Sequence, residues 1–325
     1  MRKRNAVFAT VSLAVAMIAI FSAPASADLV TRCVGTAGPV TVPGDLVVPA
    51  DGSCTLEGTT VEGQVRVMTG ADLVIIDGHL NGPVTVAPDA YLDATRTTIG
   101  DNVTSRGAYG VYLEDSHVSG AYLGRSGPSV KTPFLYAVEA TVDGQINVQA
   151  GELYLDGTRV SGPVGGIGSE YTDVINSTLL STLTVRDNPV EALICGSEVD
   201  GNAAISSSNS VQVGTGDLLT PCDVNYFGGD LTISANTGGV TVSGNIIRGD
   251  LAGRGNDPVP TGSNNRVRGE ASGQFVDLAP TPEGGRDTSR SLASERDLST
   301  DALQKSQDRR TAAVEAATAA GPADL

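Results

Sequence analysis

Tryptophan is absent from the 325 residues, aromatic residues make up only 4%, and two histidines occur in the whole chain. Lysine is scarce as well: between the opening basic residues and the last stretch of the chain, Lys131 stands alone. Acidic residues outnumber basic ones by 37 to 21, for a formal charge of −16. Nucleic acid is therefore not an expected partner, because binding phosphates requires a concentrated positive surface. Helix-rich folds are disfavoured by the 40 glycines, each of which weakens a helix interior. None of the four cysteines forms a close C-x-x-C pair of the kind a structural zinc site uses, so no metal set is read from them.

The first 27 residues read as a secretory signal peptide. Arg2, Lys3 and Arg4 supply the positive start, Ala6 to Phe21 is an apolar run too short for a spanning helix, and Ala25-Ser26-Ala27 offers the small residues of a cleavage site. Cleavage before Asp28 removes three basic residues and takes the formal charge from −16 to −19. No later stretch is apolar enough to span a bilayer, so the expectation is an exported protein with no membrane association after cleavage. Four cysteines in an exported chain then read as two disulfides.

A repeat runs through the rest of the chain. An apolar anchor recurs at 42, 61, 80, 99, 118, 142, 160, 179, 199, 227, 247 and 267, usually followed two residues on by Gly, as in Val61-Glu62-Gly63 and Leu80-Asn81-Gly82. Most spacings are 18 to 20 residues; the intervals after Val118 and Val199 are longer. The fourth residue after each anchor is apolar in all twelve units, from Leu46 to Ala271. At a 40% apolar background this has a chance of roughly 2 in 100,000. Alternation of apolar and polar positions around the anchors is the period-two pattern of strands. A 19-residue unit is too short for a strand-helix-strand crossover, but it suits one coil of a β-solenoid, whose coils bury their apolar faces only by stacking. The predicted fold is all-β: a right-handed parallel β-helix of about twelve coils over residues 28–278, on the order of 55 Å long. The Gly two after the anchor is read as leaving room at a sharp bend.

The same register pairs the cysteines. Cys195 lies 16 after its anchor, and removing the excess of the long coil brings Cys222 almost beneath it. Cys33 is close enough in the chain to Cys54 to come from a capping turn. The predicted bridges are Cys33–Cys54 and Cys195–Cys222. Residues 279–325 fall outside the repeat. Pro280, Pro282 and Gly284-Gly285 mark a linker, and Ser294 to Ala320 could be helical but has little apolar stripe, so this tail is expected to be disordered or weakly helical. It carries no cell-wall sorting signal and no terminal hydrophobic anchor.

The repeat resembles the right-handed parallel β-helix of the pectate-lyase-like kind. The stretch Val242-Ser243-Gly244-Asn245-Ile246-Ile247-Arg248-Gly249-Asp250-Leu251, with Gly255-Asn256-Asp257-Pro258 and Asn265-Arg266-Val267-Arg268-Gly269 after it, is similar to the end of a group of exported bacterial β-helix proteins without assigned function. In that group the segment usually carries two further cysteines; here Gly253 and Phe275 stand near those places. The resemblance covers most of 40–278 and bears on fold far more than on activity.

Enzymes share this fold, but the blocks its hydrolases use are missing: Asn-Thr-Asp, Asp-Asp, His-Gly and Arg-Ile-Lys do not occur here, and Glu114-Asp115 with His117 is an isolated acidic group on a turn. A lyase needs a strong base and often Ca²⁺. The candidates are Lys131 with Arg125 and Glu139, all in the long interval between Val118 and Val142. For binding an anionic sugar the candidates are Arg248, Arg254, Arg266 and Arg268. Arg248 and Arg268 share a register and should stand side by side, with Asp250 and Glu270 as the competing explanation. His79 and His117 fall in an outward column with Thr41, Thr60, Thr98, Thr141 and Thr178, too far apart to share a metal. Cofactors are expected to be none, with Ca²⁺ as a weak candidate on an acidic exported surface. The reading is a secreted structural, adhesive or glycan-contacting surface protein with no identifiable catalytic site, its partner an extracellular polysaccharide or cell-envelope glycan. The alternative is a diverged polysaccharide lyase or glycoside hydrolase.

Overall fold

A computed structural model describes residues 30–127, 132–216, 218–281 and 298–325, with the side chains of the last segment described from 303 onward. The segment read from sequence as a signal peptide, residues 1–27, and Lys131 lie outside the described residues. The chain forms a parallel β-solenoid of three sheets. Sheet I has twelve strands, from Val30–Arg32 to Leu251–Ala252; sheet II has eleven, from Gly35–Ala37 to Val240–Ser243; sheet III has twelve, from Thr41–Val42 to Arg266–Val267. Every ladder between successive coils is parallel, and each coil passes through sheets III, I and II in turn.

The apolar register of the sequence is the register of the core. The anchors end the two-residue strands of sheet III, and Val61, Leu80, Ile99, Val118 and Val142 are all 0% exposed. The residues four further on, such as Val65, Val84 and Val103, open the buried row of sheet I and pair with one another in line. The central residues of sheet II complete the interior, as in Leu56, Leu73, Leu92 and Val111. No coil encloses a core alone, so burial of each apolar row depends on the coils above and below.

The corners follow two further rules. Three residues before the anchor the chain takes a left-handed conformation in coil after coil: Gly58 (φ 65°), Asp77 (53°), Arg96 (46°), Asp115 (49°), Glu139 (51°) and Gly157 (59°). This single residue turns the chain from sheet II to sheet III. Glycine adopts it without strain, and other residues do so at a cost. Two residues before the anchor a hydroxyl or amide points into the coil and bonds the next one. Thr97 N donates to Ser116 Oγ (3.0 Å), Ser177 N to Ser197 Oγ (3.1 Å) and Ser197 N to Asn225 Oδ1 (2.8 Å). Asn225, Asn245 and Asn265 extend this into an amide ladder, each Nδ2 donating to the next Oδ1 at 3.0 Å. Buried corner polar groups are thereby satisfied from coil to coil.

The glycine after the anchor has a different reason from the one the sequence suggests. It is half-buried rather than inward, and a Cβ on Gly82 would lie 2.6 Å from the carbonyl oxygen of Gly63 in the coil below. Close approach of stacked backbones, not space for a bend, excludes a side chain there.

Both disulfides form, Cys33–Cys54 with Cα atoms 5.6 Å apart and Cys195–Cys222 at 5.4 Å. The second is reached by another route than simple stacking. Ile194 pairs with Val213, so Gly214 continues the register beside Cys195, while Cys222 belongs to the inserted loop and folds back to bridge Gly216. Gln212 pins that loop, accepting from Leu219 N (2.6 Å) and donating to Thr220 O (2.8 Å). At the far end, Phe275 is 2% exposed, and a Cβ on Gly253 would lie 2.7 Å from its ring. Gly253 and Phe275 thus face one another, the ring plugging the end of the core.

The tail contains a helix, α1 (Leu298–Ala320), which lies across the outer face of sheet II. Beyond it, Thr36 N donates to Gly321 O (2.9 Å) and Ala323 N to Thr36 O (2.8 Å), so the chain's end pairs with the first strand of sheet II. An exposed strand edge is thereby covered.

Candidate functional site: an aromatic and carboxylate face under α1

Alternation in the strands of sheet II sends every second side chain outward, away from the core. In coils four to eight those positions hold rings and acids. The ladder sets Tyr91, Gly110, Phe134, Glu152 and Tyr171 in one row, and Asp93, Tyr112, Tyr136, Tyr154 and Asp173 in the next. A third row holds Thr95, Glu114, Val138, Asp156 and Ile175. Six of the eight tyrosines of the chain belong to this face or its edge, Tyr109 being the edge residue. Gly110 has no side chain because the ring of Phe134 occupies that space. Phe134 stacks on Tyr136 with centroids 4.1 Å apart, and Tyr109 meets it edge-on at 5.5 Å.

The carboxylates are wired to the phenols. Tyr91 Oη donates to Asp93 Oδ2 at 2.7 Å. Tyr136 Oη donates to Glu152, and Tyr171 Oη donates to both. Helix α1 supplies the opposing charge. Lys305 Nζ lies 3.0 Å from Glu152 and 5.0 Å from the Phe134 ring centroid. Arg309 Nε lies 2.8 Å from Asp72 Oδ1, with its guanidinium 4.9 Å from the Tyr109 ring. Arg310 Nη1 lies 3.5 Å from Asp93 Oδ1 and 3.8 Å from Glu114 Oε2. The Tyr91 hydroxyl also lies 3.2 Å from the carbonyl oxygen of Ser306, and Tyr109 Oη donates to the carbonyl of Lys305.

Burial dominates the electrostatics. Asp93 is 0% exposed, and loss of solvent pushes its pKa up despite Arg310 and the Tyr91 hydroxyl, which pull it down. Asp72 is raised for the same reason, against the pull of Arg309. The hydroxyls of Tyr91, Tyr112 and Tyr136 are pushed above the ordinary phenol range by burial and by the neighbouring carboxylates, so they act here as donors. The face can hold cations between carboxylate and ring.

The candidates read from sequence are dispersed. Arg125 is exposed at the end of a sheet I strand, whereas Glu139 occupies a left-handed corner at the other end of Phe134–Val138. A five-residue strand of roughly 17 Å separates the two corners, so they do not converge. Lys131 lies outside the described residues. Arg248, Arg254, Arg266 and Arg268 are exposed. Arg248 and Arg268 do follow stacked anchors, and Arg248 Nη1 donates to Tyr226 Oη (3.3 Å). Asp250 Oδ1 accepts from the backbone N of Glu270 (2.8 Å), so its carboxylate braces the next coil. Arg254 sits at another corner, after the sheet I strand. His79 and His117 stand in the outward column with the threonines, and His117 Nε2 lies 2.7 Å from Asp143 Oδ2. Glu114 points instead to α1, which separates it from His117.

Among the described residues no group of three or more His, Cys, Asp or Glu could hold a metal ion, and no helix is long and apolar enough to cross a membrane. A hollow of about 340 Å³ at the N-terminal end is lined by Thr36, Ala37, Gly38, Pro39, Val40, Pro322, Ala323 and Leu325, none with an ionisable side chain. The aromatic face was missed from sequence although its signal was present: eight and six residues before the anchors stand Tyr91 and Asp93, Phe134 and Tyr136, Glu152 and Tyr154, Tyr171 and Asp173. Comparison with known protein families, curated proteins and solved structures gives no match for this chain.

Proposed function

We propose that this chain is an exported surface protein of the pectate-lyase-like β-helix kind, with a structural, adhesive or glycan-contacting role. The observation that carries the reading is the unbroken outer surface of sheets I and III, twelve parallel strands each. Its outward columns stay in register from coil to coil, as in Thr41, Thr60, His79, Thr98, His117 and Thr141. Such a surface suits a repetitive polymer. The leader-like N-terminus and the two disulfides support export, since disulfides persist in oxidising compartments.

A second reading, a diverged polysaccharide lyase or glycoside hydrolase, is favoured by the buried Tyr91–Asp93 pair, whose acid is raised by burial in the way catalytic sites use, with a second phenol–carboxylate pair, Tyr136–Glu152, on the same face. One experiment separates the two. The full chain and an Arg310→Ala variant would be applied to a glycan array and incubated with pectate, alginate and glycosaminoglycans in the presence of Ca²⁺, following reducing ends and unsaturated product. Binding without product supports the surface role. Product formation that disappears in Asp93→Asn overturns it in favour of the enzyme. Absence of both from both proteins overturns the glycan reading altogether.

A further inference from the structure

Helix α1 does not dock as an amphipathic helix usually does, by burying a stripe of large apolar side chains. Its fully buried side chains between 303 and 320 are Ser306, Ala313 and Ala317. Specific contact comes from cations. Lys305 and Arg309 each meet both a carboxylate and an aromatic ring, and Arg310 bridges two carboxylates. These positions fall on one helical face, with cations at i, i+4 and i+5 and small residues at i+8 and i+12. The rings in this interface belong to the sheet, in Tyr91, Tyr109 and Phe134, and from α1 Leu303 packs against their cluster. Such a ring cluster demands a cover, because large exposed apolar patches mark interaction sites.

We propose that the outer face of sheet II between Asp72 and Glu152 is a recognition surface for a Lys- and Arg-bearing α-helix. The chain's own C-terminal helix is its resident occupant, and a cationic helical peptide supplied by another molecule displaces it. Three observations join in this. The docking chemistry of α1 is carboxylate plus ring against cation, which any helix with the same spacing satisfies. Between residues 28 and 278 the chain has 29 acidic and 12 basic residues, a field that draws cationic segments toward it. The attachment of α1 also permits exchange. Thr281 pairs with Thr261 at the far end of the solenoid, and sixteen residues, 282–297, separate it from the start of a helix whose other end reaches Thr36 in the first coil.

The test uses full-length protein. Fluorescein-labelled peptides would be titrated by polarisation. One has the sequence of Leu303–Leu325. The second is an unrelated helix with Lys and Arg at the same spacing and small residues after them. In the third, Glu replaces those cations. A reversible lock is provided by Thr36→Cys with Pro322→Cys, since these bridge partners lie at strand spacing, within disulfide reach. Lys305→Glu/Arg309→Glu/Arg310→Glu opens the face if the resident helix outcompetes the probe. Saturable binding of both cationic peptides is expected, to the parent or to the opened variant, and none of the acidic one. The oxidised lock should weaken binding at least tenfold, and reduction should restore it. Binding of the Leu303–Leu325 peptide alone would overturn the proposal, because the surface would then be private to copies of this chain. Binding indifferent to the lock, or absent from the opened variant with its two disulfides intact by peptide mapping, would also overturn it.

Discussion

Replacing Arg310 with Ala tests how α1 is held. Arg310 faces Asp93, a carboxylate at 0% exposure, from 3.5 Å. Removing one member of a buried ion pair costs about 3–5 kcal/mol, because the remaining charge is left without compensation. Asp93 keeps the Tyr91 hydroxyl at 2.7 Å, which places the cost at the lower end, about 3 kcal/mol. A ceiling also applies: the helix can lift and let water reach Asp93, so the loss cannot exceed the free energy of docking. At 1.4 kcal/mol per decade, about 3 kcal/mol is roughly a hundredfold increase in helix opening. Hydrogen exchange of the amides between 304 and 320 reads this directly, with the solenoid amides around Val84 and Val103 as the unaffected reference. Adding Asp93→Asn removes the stranded charge, so the double variant should regain most of the protection. A change under about threefold in the single variant, or no recovery in the double, would refute the view that charge pairing holds the helix.

Three further outcomes follow from the same contacts. Asp72 and Asp93 are raised by burial, with Asp89 adding to the rise at the first and Glu114 at the second, against Arg309 and Ser53 around the first and Arg310, Tyr91 and Thr95 around the second. A carboxyl whose pKa is raised on folding adds stability below the ordinary carboxylate pKa, and this contribution is lost as pH rises through the raised value. Between acid and neutral pH the parent should therefore lose more stability in urea unfolding than Asp93→Asn does; an equal pH dependence of the two would contradict this. Asn245→Ala removes three side-chain bonds of 2.9–3.0 Å from a residue at 0% exposure, so a loss of roughly 2–4 kcal/mol and a melting temperature lower by about 5–10 °C are expected; a shift under about 2 °C would show the amide ladder to be dispensable. Glu139→Gly should leave stability unchanged or raise it by up to about 1 kcal/mol in urea unfolding, since φ is 51° there; a loss of that size would mean the carboxylate does more than turn a corner.

The two long-range pairings that the sequence revealed, the coil register and the disulfides, rest on arithmetic that stacking makes simple. With coils one strand spacing apart, residues 19 or 20 apart in the chain are neighbours in space, so a periodic apolar pattern is already a contact map. That is why Val61, Leu80 and Ile99 could be placed inside from spacing alone, whereas Cys54 was given its partner by the closeness of Cys33 in the chain. Where insertions broke the period the arithmetic lost its footing: Cys222 reached Cys195 through a folded loop, with Gly214 in the expected place. The face under α1 lay beyond such reasoning for another reason. A period-two alternation shows which side chains point outward, but not that a distant segment will cover them. The helix carries Lys305, Arg309, Ala313 and Ala317 on its docking face, so it lacks the apolar stripe by which a sequence announces a buried helix. Its partner surface was made by five coils together, and only the three-dimensional stack brought Asp72, Asp93 and Glu152 into range of one helix. The solenoid was written in local periodicity; the covered face arose from charges and rings far apart in the chain, whose pairing carries no period to read.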